Sequence, residues 1–509
     1  MLVAVALAAA SSVAATVCQT LSGDSGVCKQ TTACSGDSFA GCCKGPSDVQ
    51  CCVGEVEMDV TFGDNPYYFD NWCNNAGASG RQYLDDTFCA KKFPSLPAAG
   101  AAVVHAAGTL VDREWTCPVL FDADHSGVES GFATDVGVLS AVDVDTTTLP
   151  SIISNDANLC LIVTRRVQSN DNGEASPTAK LYHKYFCNGE DSRSDAHETW
   201  SSSKIFAVSN AAGHLREQAC TAPDGSAVTN AMGTDSAALN GTHGTTPLGD
   251  LASVVCSYDR TLGYTSNSLS SYFHDLGGRQ RLHSLVADES AEGWLQSPSV
   301  GTLGGNYGEA SPTDLQGSMQ CADGSACGAH LQTAIPGYDN SLSQLSHAEL
   351  TRRIGQHRDL PVDMRFPGAS WEDMQQVMYG AGGGQFSQGL SLFPTVQWGG
   401  MTADTSIYVQ SALNISAVEL VAPGQWRIFS KLGAGYSSSR LVGEIINNAY
   451  VCLPQLDTAT GAVVPNSGLE FTISTRGSVP GDTSLNKVDL VVYMAVQEAI
   501  AALLNGQLV

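Results

Sequence analysis

Thr199-Trp200-Ser201-Ser202-Ser203-Lys204-Ile205-Phe206-Ala207-Val208-Ser209-Asn210-Ala211-Ala212 is the stretch on which the fold of this chain turns. Ile205, Phe206, Val208, Ala212 and Leu215 recur near helical spacing, so a helix is predicted over Ser203–Gln218. Ser201 stands three places before Lys204 at its start, which puts both side chains on one face, one turn apart. The lysine can take the serine's proton, and a helix N-terminus supplies N–H groups for a developing oxyanion. A run of serines ahead of a helix also serves as an N-cap. On this stretch alone both readings stand.

Outward from it the pattern continues on both sides. Leu159–Val167 reads as a strand, turn residues follow at 170–173, and Ala179–Cys187 reads as its hairpin partner. Leu248–Leu276 reads as largely helical with a short break around Gly263–Asn267, and residues 280–345, rich in Gly, Ser, Asn and Pro, read as long loops. Helices are predicted at His347–Gln356 and Trp371–Tyr379. Trp426–Phe429 leads a strand, Leu441–Cys452 is a second and Leu469–Thr475 a third, and a last helix is predicted at Val488–Asn505. This order predicts an α+β fold: a mainly antiparallel sheet flanked by helices, with a helical subdomain inserted.

Two further stretches carry chemistry. In Lys431-Leu432-Gly433-Ala434-Gly435, followed by Arg440, a lysine on an edge strand beside glycines allows close approach of a substrate backbone. The same residues also read as a glycine bulge with a solvated lysine. In Thr265-Ser266-Asn267, a hydroxyl and an amide two apart can point into one cleft, and Asn267 or Ser266 would equally serve as a helix cap.

Taken in order, Ser-x-x-Lys, hydroxyl-x-Asn and Lys-x-Gly resemble the serine β-lactamases and penicillin-binding proteins over residues 155–509. Trp426, five before Lys431, and Arg440, nine after it, give a spacing that resembles the class A β-lactamases. The resemblance implies that Ser201 is the acylated nucleophile and that Lys204 moves its proton. It implies that Asn267 holds the substrate amide, with Thr265 in the proton path in place of a serine. Lys431 and Arg440 would supply a positive field for a substrate carboxylate. Gly433 and Ala434 would line the substrate, and the N–H groups of Ser201 and Ala434 would form an oxyanion hole.

The chain departs from the family in three places. Thr265 replaces a serine. Leu432 replaces a hydroxyl residue that helps bind carboxylate. No Glu-x-x-x-Asn lies between Gly278 and Leu345 to activate a deacylating water. In Asn306-Tyr307-Gly308-Glu309-Ala310-Ser311-Pro312, Glu309 is the candidate base, although it matches a neighbouring family position best. Glu289 and Glu292 are other carboxylates between Gly278 and Leu345. The expectation is a hydrolase that cleaves a β-lactam or related amide through an acyl-serine intermediate. The alternatives are a D-alanyl-D-alanine peptidase-like or other amidase on cell-wall peptides, and a non-catalytic member of the fold. No metal or organic cofactor is called for, and the partner is a small-molecule or peptide amide, or a cell-wall glycopeptide.

Bulk properties set the compartment. The chain has 509 residues, too many for one ordinary core. Its net charge of −26 excludes a general affinity for nucleic acid or anionic membranes. Residues 1–15 read as a signal peptide, too short an apolar run to span a bilayer, and no other stretch predicts a span, so secretion is expected. Ten of the seventeen cysteines lie between Cys18 and Cys117, which predicts a disulfide-rich module over residues 16–55 rather than a zinc site. Residues 56–154 carry no periodicity, only half a calcium loop at Asp122-Ala123-Asp124-His125-Ser126-Gly127, with Ala133 where its glutamate belongs. Asn240 and Asn414 fit glycosylation sequons.

Overall fold

The computed structural model describes residues 117–122, 143–168, 179–217, 246–257, 263–287, 301–315, 339–379, 427–455, 462–483 and 485–508, with shorter pieces elsewhere. Residues 1–60 and 61–509 form two compact units. In the first, Val17–Gln19, Ser25–Gln30, Val49–Val53 and Asp37–Phe39 lie side by side in that order, all antiparallel, with Cys28 opposite Cys51. The predicted signal peptide, most of the calcium half-loop, Trp426, Glu289, Glu292 and both sequons lie outside the described residues.

The second unit is built on a seven-stranded sheet. Its strands are β1 (Ala133–Thr134), β2 (Val144–Asp145), β3 (Asn158–Gln168), β4 (Ala179–Cys187), β5 (Arg427–Ser437), β6 (Val442–Leu453) and β7 (Leu469–Pro480). The order is β5-β6-β7-β3-β4, with β1 and β2 both pairing β4, and only β2 runs parallel to its neighbour. β3 and β6 are buried along almost their whole length, as strands covered on both faces must be, and β6 buries Glu444, Asn447 and Asn448 among its apolar residues. Segment 117–154, for which the sequence carries no periodicity, supplies two of the seven strands. It also supplies Cys117, whose disulfide to Cys452 anchors residues 117–121 on β6. A second disulfide joins Cys160 and Cys187, directly opposite on β3 and β4.

Among the described residues the longer helices are α1 (Lys204–Glu217), α2 (Leu248–Ser257), α3 (Ser266–Gly277), α4 (Arg279–Ala287), α5 (Gln344–Gly355), α6 (Trp371–Tyr379) and α7 (Asn486–Leu504), and a single turn of helix spans Glu190–Ser194. α7 covers one face of the sheet: a Cβ on Gly477 of β7 would meet Val488 and Val492 at 2.9 Å. α5 covers the other, where Ser474 Oγ donates to Gln344 Oε1 at 2.8 Å; residues 474 and 477 point to opposite faces because strand side chains alternate. α1 is buried nearly all round, which explains its weak amphipathicity; its inner polar residues are satisfied, Asn210 donating to Gly277 O of α3 at 2.8 Å.

Three arginines and three carboxylates are buried or nearly so between α5 and the sheet, so their charges cancel. Arg166 holds Glu470 through Nε and Nη2, both at 2.9 Å, and also pairs Asp359. Glu349 pairs Arg352 at 2.5 Å and Arg353 at 2.9 Å. Such a cluster is tolerated in a core only when every member is hydrogen-bonded.

The structure amends several predicted boundaries. Residues 280–345 are not loop throughout: α4 follows Gly278 at once, and Gly301–Thr302 and Ser341–Leu342 pair as short strands. The strand that Trp426–Phe429 is predicted to lead is described over Arg427–Ser437 and carries Lys431 to Gly435 within it. No helix among the described residues is long and apolar enough to cross a membrane.

Candidate active site

The serine run leads into α1 as a 3-10 turn over Trp200–Ser203, with the α-helix starting at Lys204. Its three hydroxyls have different fates. Ser202 Oγ donates to Thr199 O at 2.5 Å, and Ser203 Oγ is hydrogen-bonded to Thr199 Oγ1 at 2.6 Å and to Tyr307 Oη at 3.0 Å; both serines are fully buried. Ser201 lines a cavity of about 660 Å³ together with Glu198, Trp200, Asn267, Tyr307, Ala434 and Arg440, among others. Of the run, Ser201 is therefore the residue a substrate would meet.

Lys204 is fully buried beneath that cavity. Its ammonium donates to Asn267 Oδ1 at 2.6 Å and to Ser266 Oγ at 3.1 Å, and lies 5.5 Å from the centre of the Tyr307 ring. The first and second sequence motifs thus meet through Lys204 and Asn267. Thr265 departs from its expected place in the proton path. It is the N-cap of α3, accepting from Ser268 N at 3.0 Å, and its hydroxyl donates to Glu309 Oε2 at 2.6 Å. The hydroxyl on Lys204 comes from the next residue, Ser266.

Glu309 caps the same corner. Besides Thr265, its carboxylate accepts from Asn267 Nδ2 at 3.5 Å, a long contact, and its backbone carbonyl accepts from Ser271 Oγ at 2.6 Å. It is exposed and is not among the cavity-lining residues, whereas its neighbours Asn306, Tyr307 and Gly308 are. The loop carrying them is held by an i,i+4 pair of which only Arg279 lies just past α3. Arg279 binds Asp275 at 2.6 Å and donates to Gly304 O at 2.5 Å and Asn306 Oδ1 at 2.7 Å, and Asp275 takes the Ser311 hydroxyl. No spacing rule signals this clamp; an Asp four before an Arg at a helix end is its only trace in the sequence.

β5 forms the opposite wall. Gly433 does not line the cavity. It lies against the turn that carries Ser201: a Cβ there would come within 2.4 Å of Thr199 O, 2.7 Å of Ser202 N and 2.9 Å of Ser201 N. Two residues on, a Cβ at Gly435 would meet the Trp200 ring at 2.4 Å. The glycines therefore let the strand and the turn touch, and the cavity receives Ala434 from the strand. Trp200 has φ +49°, a left-handed conformation rare for a bulky residue. Its Nε1 donates to Glu444 Oε2 at 3.2 Å, and Glu444 sits opposite Gly435 on β6.

Two of the expected cations stand differently from their forecast. Lys431 is buried on β5, is not among the lining residues, and donates from Nζ to Leu432 O at 3.0 Å. Arg440 does line the cavity, but its Nη2 is paired with Glu198 at 2.8 Å and Glu444 at 2.5 Å. Leu432 belongs to the apolar core. Among the described residues no group of three or more His, Cys, Asp or Glu is placed to hold a metal.

No protein-family profile and no curated protein matches the chain. Solved structures similar to it include a β-lactamase from Burkholderia vietnamiensis (11% identity over 70% of this chain and 96% of that one, TM-score 0.33). They also include a class A β-lactamase from Mycobacterium abscessus (13%, 70% and 96%, TM-score 0.29) and PBP-A (11%, 77% and 100%, TM-score 0.28). In fold the chain is similar to these serine β-lactamase and penicillin-binding structures; at such identities and TM-scores the likeness carries nothing about its chemistry, which rests on the residues described above.

Proposed function

We propose that this chain is a secreted serine acyl-transfer enzyme that opens a β-lactam or related amide through an ester on Ser201. The observation that carries the reading is the arrangement around one cavity: Ser201 on its wall, Lys204 Nζ bonded to the lining Asn267, and β5 pressed against the nucleophile's own turn through Gly433. Lys204, in its neutral form, takes the proton of Ser201 as Oγ bonds to the carbonyl carbon. The N–H groups of Ser201 and Ala434 stabilise the oxyanion. The C–N bond then breaks, the leaving nitrogen takes that proton, and the acyl group remains on Ser201 until water or an amine displaces it. Lys431 contributes positive potential from within β5.

A second reading, a peptidase-like amidase acting on cell-wall peptides with slow hydrolysis, is favoured by the place of Glu309. Its carboxylate is bonded to Thr265 and lies off the cavity, so Glu309 does not face the acyl ester as a base. One experiment tests the reading: an intact-mass time course of the purified protein with benzylpenicillin and with its methyl ester, beside Ser201→Ala. The expected result is a single adduct that requires Ser201 and decays slowly. An absence of adduct with both compounds, or an adduct that survives in Ser201→Ala, overturns it.

A further inference from the structure

Arg440 is the one cation among the described residues lining the cavity, and it already has two carboxylates on it. They are unlike each other. Glu444 is fully buried in the sheet and also holds Arg476 at 2.5 Å, so it belongs to the framework. Glu198 is half-exposed, with 48% of its side chain open to solvent, and lines the cavity itself. It stands on a two-residue strand paired with Ser341–Leu342, on the wall that also carries Asp339. From there its Oε2 reaches Arg440 Nη2 at 2.8 Å.

That geometry puts a carboxylate of the protein where an arriving carboxylate would seek the guanidinium. Leu432, turned into the core, leaves no hydroxyl at its position to help a substrate carboxylate. Asp339, one of whose oxygens accepts from Ser341 Oγ at 3.0 Å, adds a second negative charge to the same wall. Burial raises the Glu198 pKa, Arg440 pulls it down, and Glu444 and Asp339 push it up again, so the two lining carboxylates sense each other. A substrate anion would have to displace Glu198 and then lie beside it and Asp339, which like-charge repulsion opposes. A neutral group meets no such barrier.

We infer that Glu198 is a specificity-determining residue that fills the carboxylate position of this cavity, so that the site takes acyl donors carrying a neutral group at the Arg440 end and disfavours anionic ones. The inference rests on the acyl-Ser201 reading. Its test compares benzylpenicillin, one carboxylate, with its neutral methyl ester, in the full chain and in Glu198→Gln, by the rate at which the Ser201 adduct forms. The wild-type chain is expected to react at least tenfold faster with the ester. Glu198→Gln is expected to raise the penicillin rate about tenfold and narrow the ratio, and Glu198→Ala to do the same by a second route. A wild-type ratio near one, or a ratio that neither variant changes, overturns the inference. Should no compound acylate any form, the acyl-serine reading fails, and titration with phenylacetate by calorimetry decides the rest. Binding about tenfold tighter in Glu198→Gln than in wild type sustains the role of Glu198, and equal binding overturns it.

Discussion

Gly433 faces the amide nitrogen of Ser201 so closely that a methyl group on it would lie 2.9 Å from that nitrogen and 2.4 Å from the carbonyl oxygen of Thr199. The proposed nucleophile and the strand that would cradle its substrate are therefore one packed unit. The atoms a new Cβ would strike are backbone, which cannot swing aside.

Gly433→Ala is expected to lower stability by roughly 1–3 kcal/mol, the usual result of overpacking. It should also shift the Ser201 amide and slow adduct formation by about 10- to 100-fold, since small displacements of reacting groups are that costly. Thermal melting and the intact-mass rate check the two effects separately. A variant that melts like wild type and is acylated at the same rate would show that the contact has no bearing on the site.

Trp200 joins that unit to the charges behind it. Its φ of +49° is held by packing on Gly435 and by the Nε1 bond to Glu444. Trp200→Phe keeps a ring on Gly435 and removes the donor. The expected cost is about 1 kcal/mol of stability, with acylation slowed severalfold. Glu444→Ala removes a buried carboxylate shared by Arg440 and Arg476 and is expected to cost about 3–5 kcal/mol, as removal of one member of a buried ion cluster does. Urea unfolding of the two variants measures both numbers; a Glu444→Ala cost no larger than that of Trp200→Phe contradicts the linkage.

Much of this fold was legible in the sequence, for a physical reason. Ala179–Cys187 is a strand with the predicted bounds, and Leu159–Val167 and Val488–Asn505 differ from the observed elements by a residue or two, because buried strands and a buried helix are written as apolar runs. The start of β5 is legible but its end is not, because Ser430, Lys431, Gly433 and Gly435 give it no apolar alternation; these glycines pack on a turn more than two hundred residues earlier. α4 was read as loop because Arg279 and Arg281 occupy inward positions, satisfied by Asp275 and Asn210, which no hydrophobic period reports. The site followed the same rule. Ser201 and Asn267 line one cavity and Lys204 is bonded to Asn267, while one partner of Arg440 is Glu198, 242 residues away, a pairing that spacing along the chain cannot carry.

Glu309 offers a direct test of how the ester on Ser201 is lost. Its carboxylate is occupied by Thr265 and stands off the cavity. Glu309→Gln is therefore expected to change the lifetime of a penicillin adduct by less than about twofold, with at most about 1 kcal/mol lost at the α3 cap. A lifetime lengthened tenfold or more would make Glu309 the deacylating base after all. The readout is the decay of the adduct mass after excess penicillin is removed.

Buried histidines set the response of the fold to acid. Burial lowers His274 and His347 to about 3 and His357 to about 4, from an ordinary value of 6.5. Arg279 adds to the shift at His274, which stacks on Tyr307 below the cavity. The folded chain keeps these rings neutral while the unfolded chain protonates them below about 6.5. Between the two pKa values the unfolded state binds the extra protons, so stability is whole above pH 6.5 and falls as the pH drops towards 3 to 4. Each ring contributes a slope of about 1.4 kcal/mol per pH unit well inside that window. Glu349, lowered to about 2 by Arg352 and Arg353 against its burial, acts in the same direction but only below its unfolded value of 4.5, so it leaves the interval from pH 6.5 to 5 to the histidines. Urea midpoints measured at pH 7, 6 and 5 should decline steadily, and His274→Asn should flatten the decline by about a third of the three-ring share. A midpoint constant from pH 7 to 5 would mean that these rings are protonated in the native state or exchange with solvent.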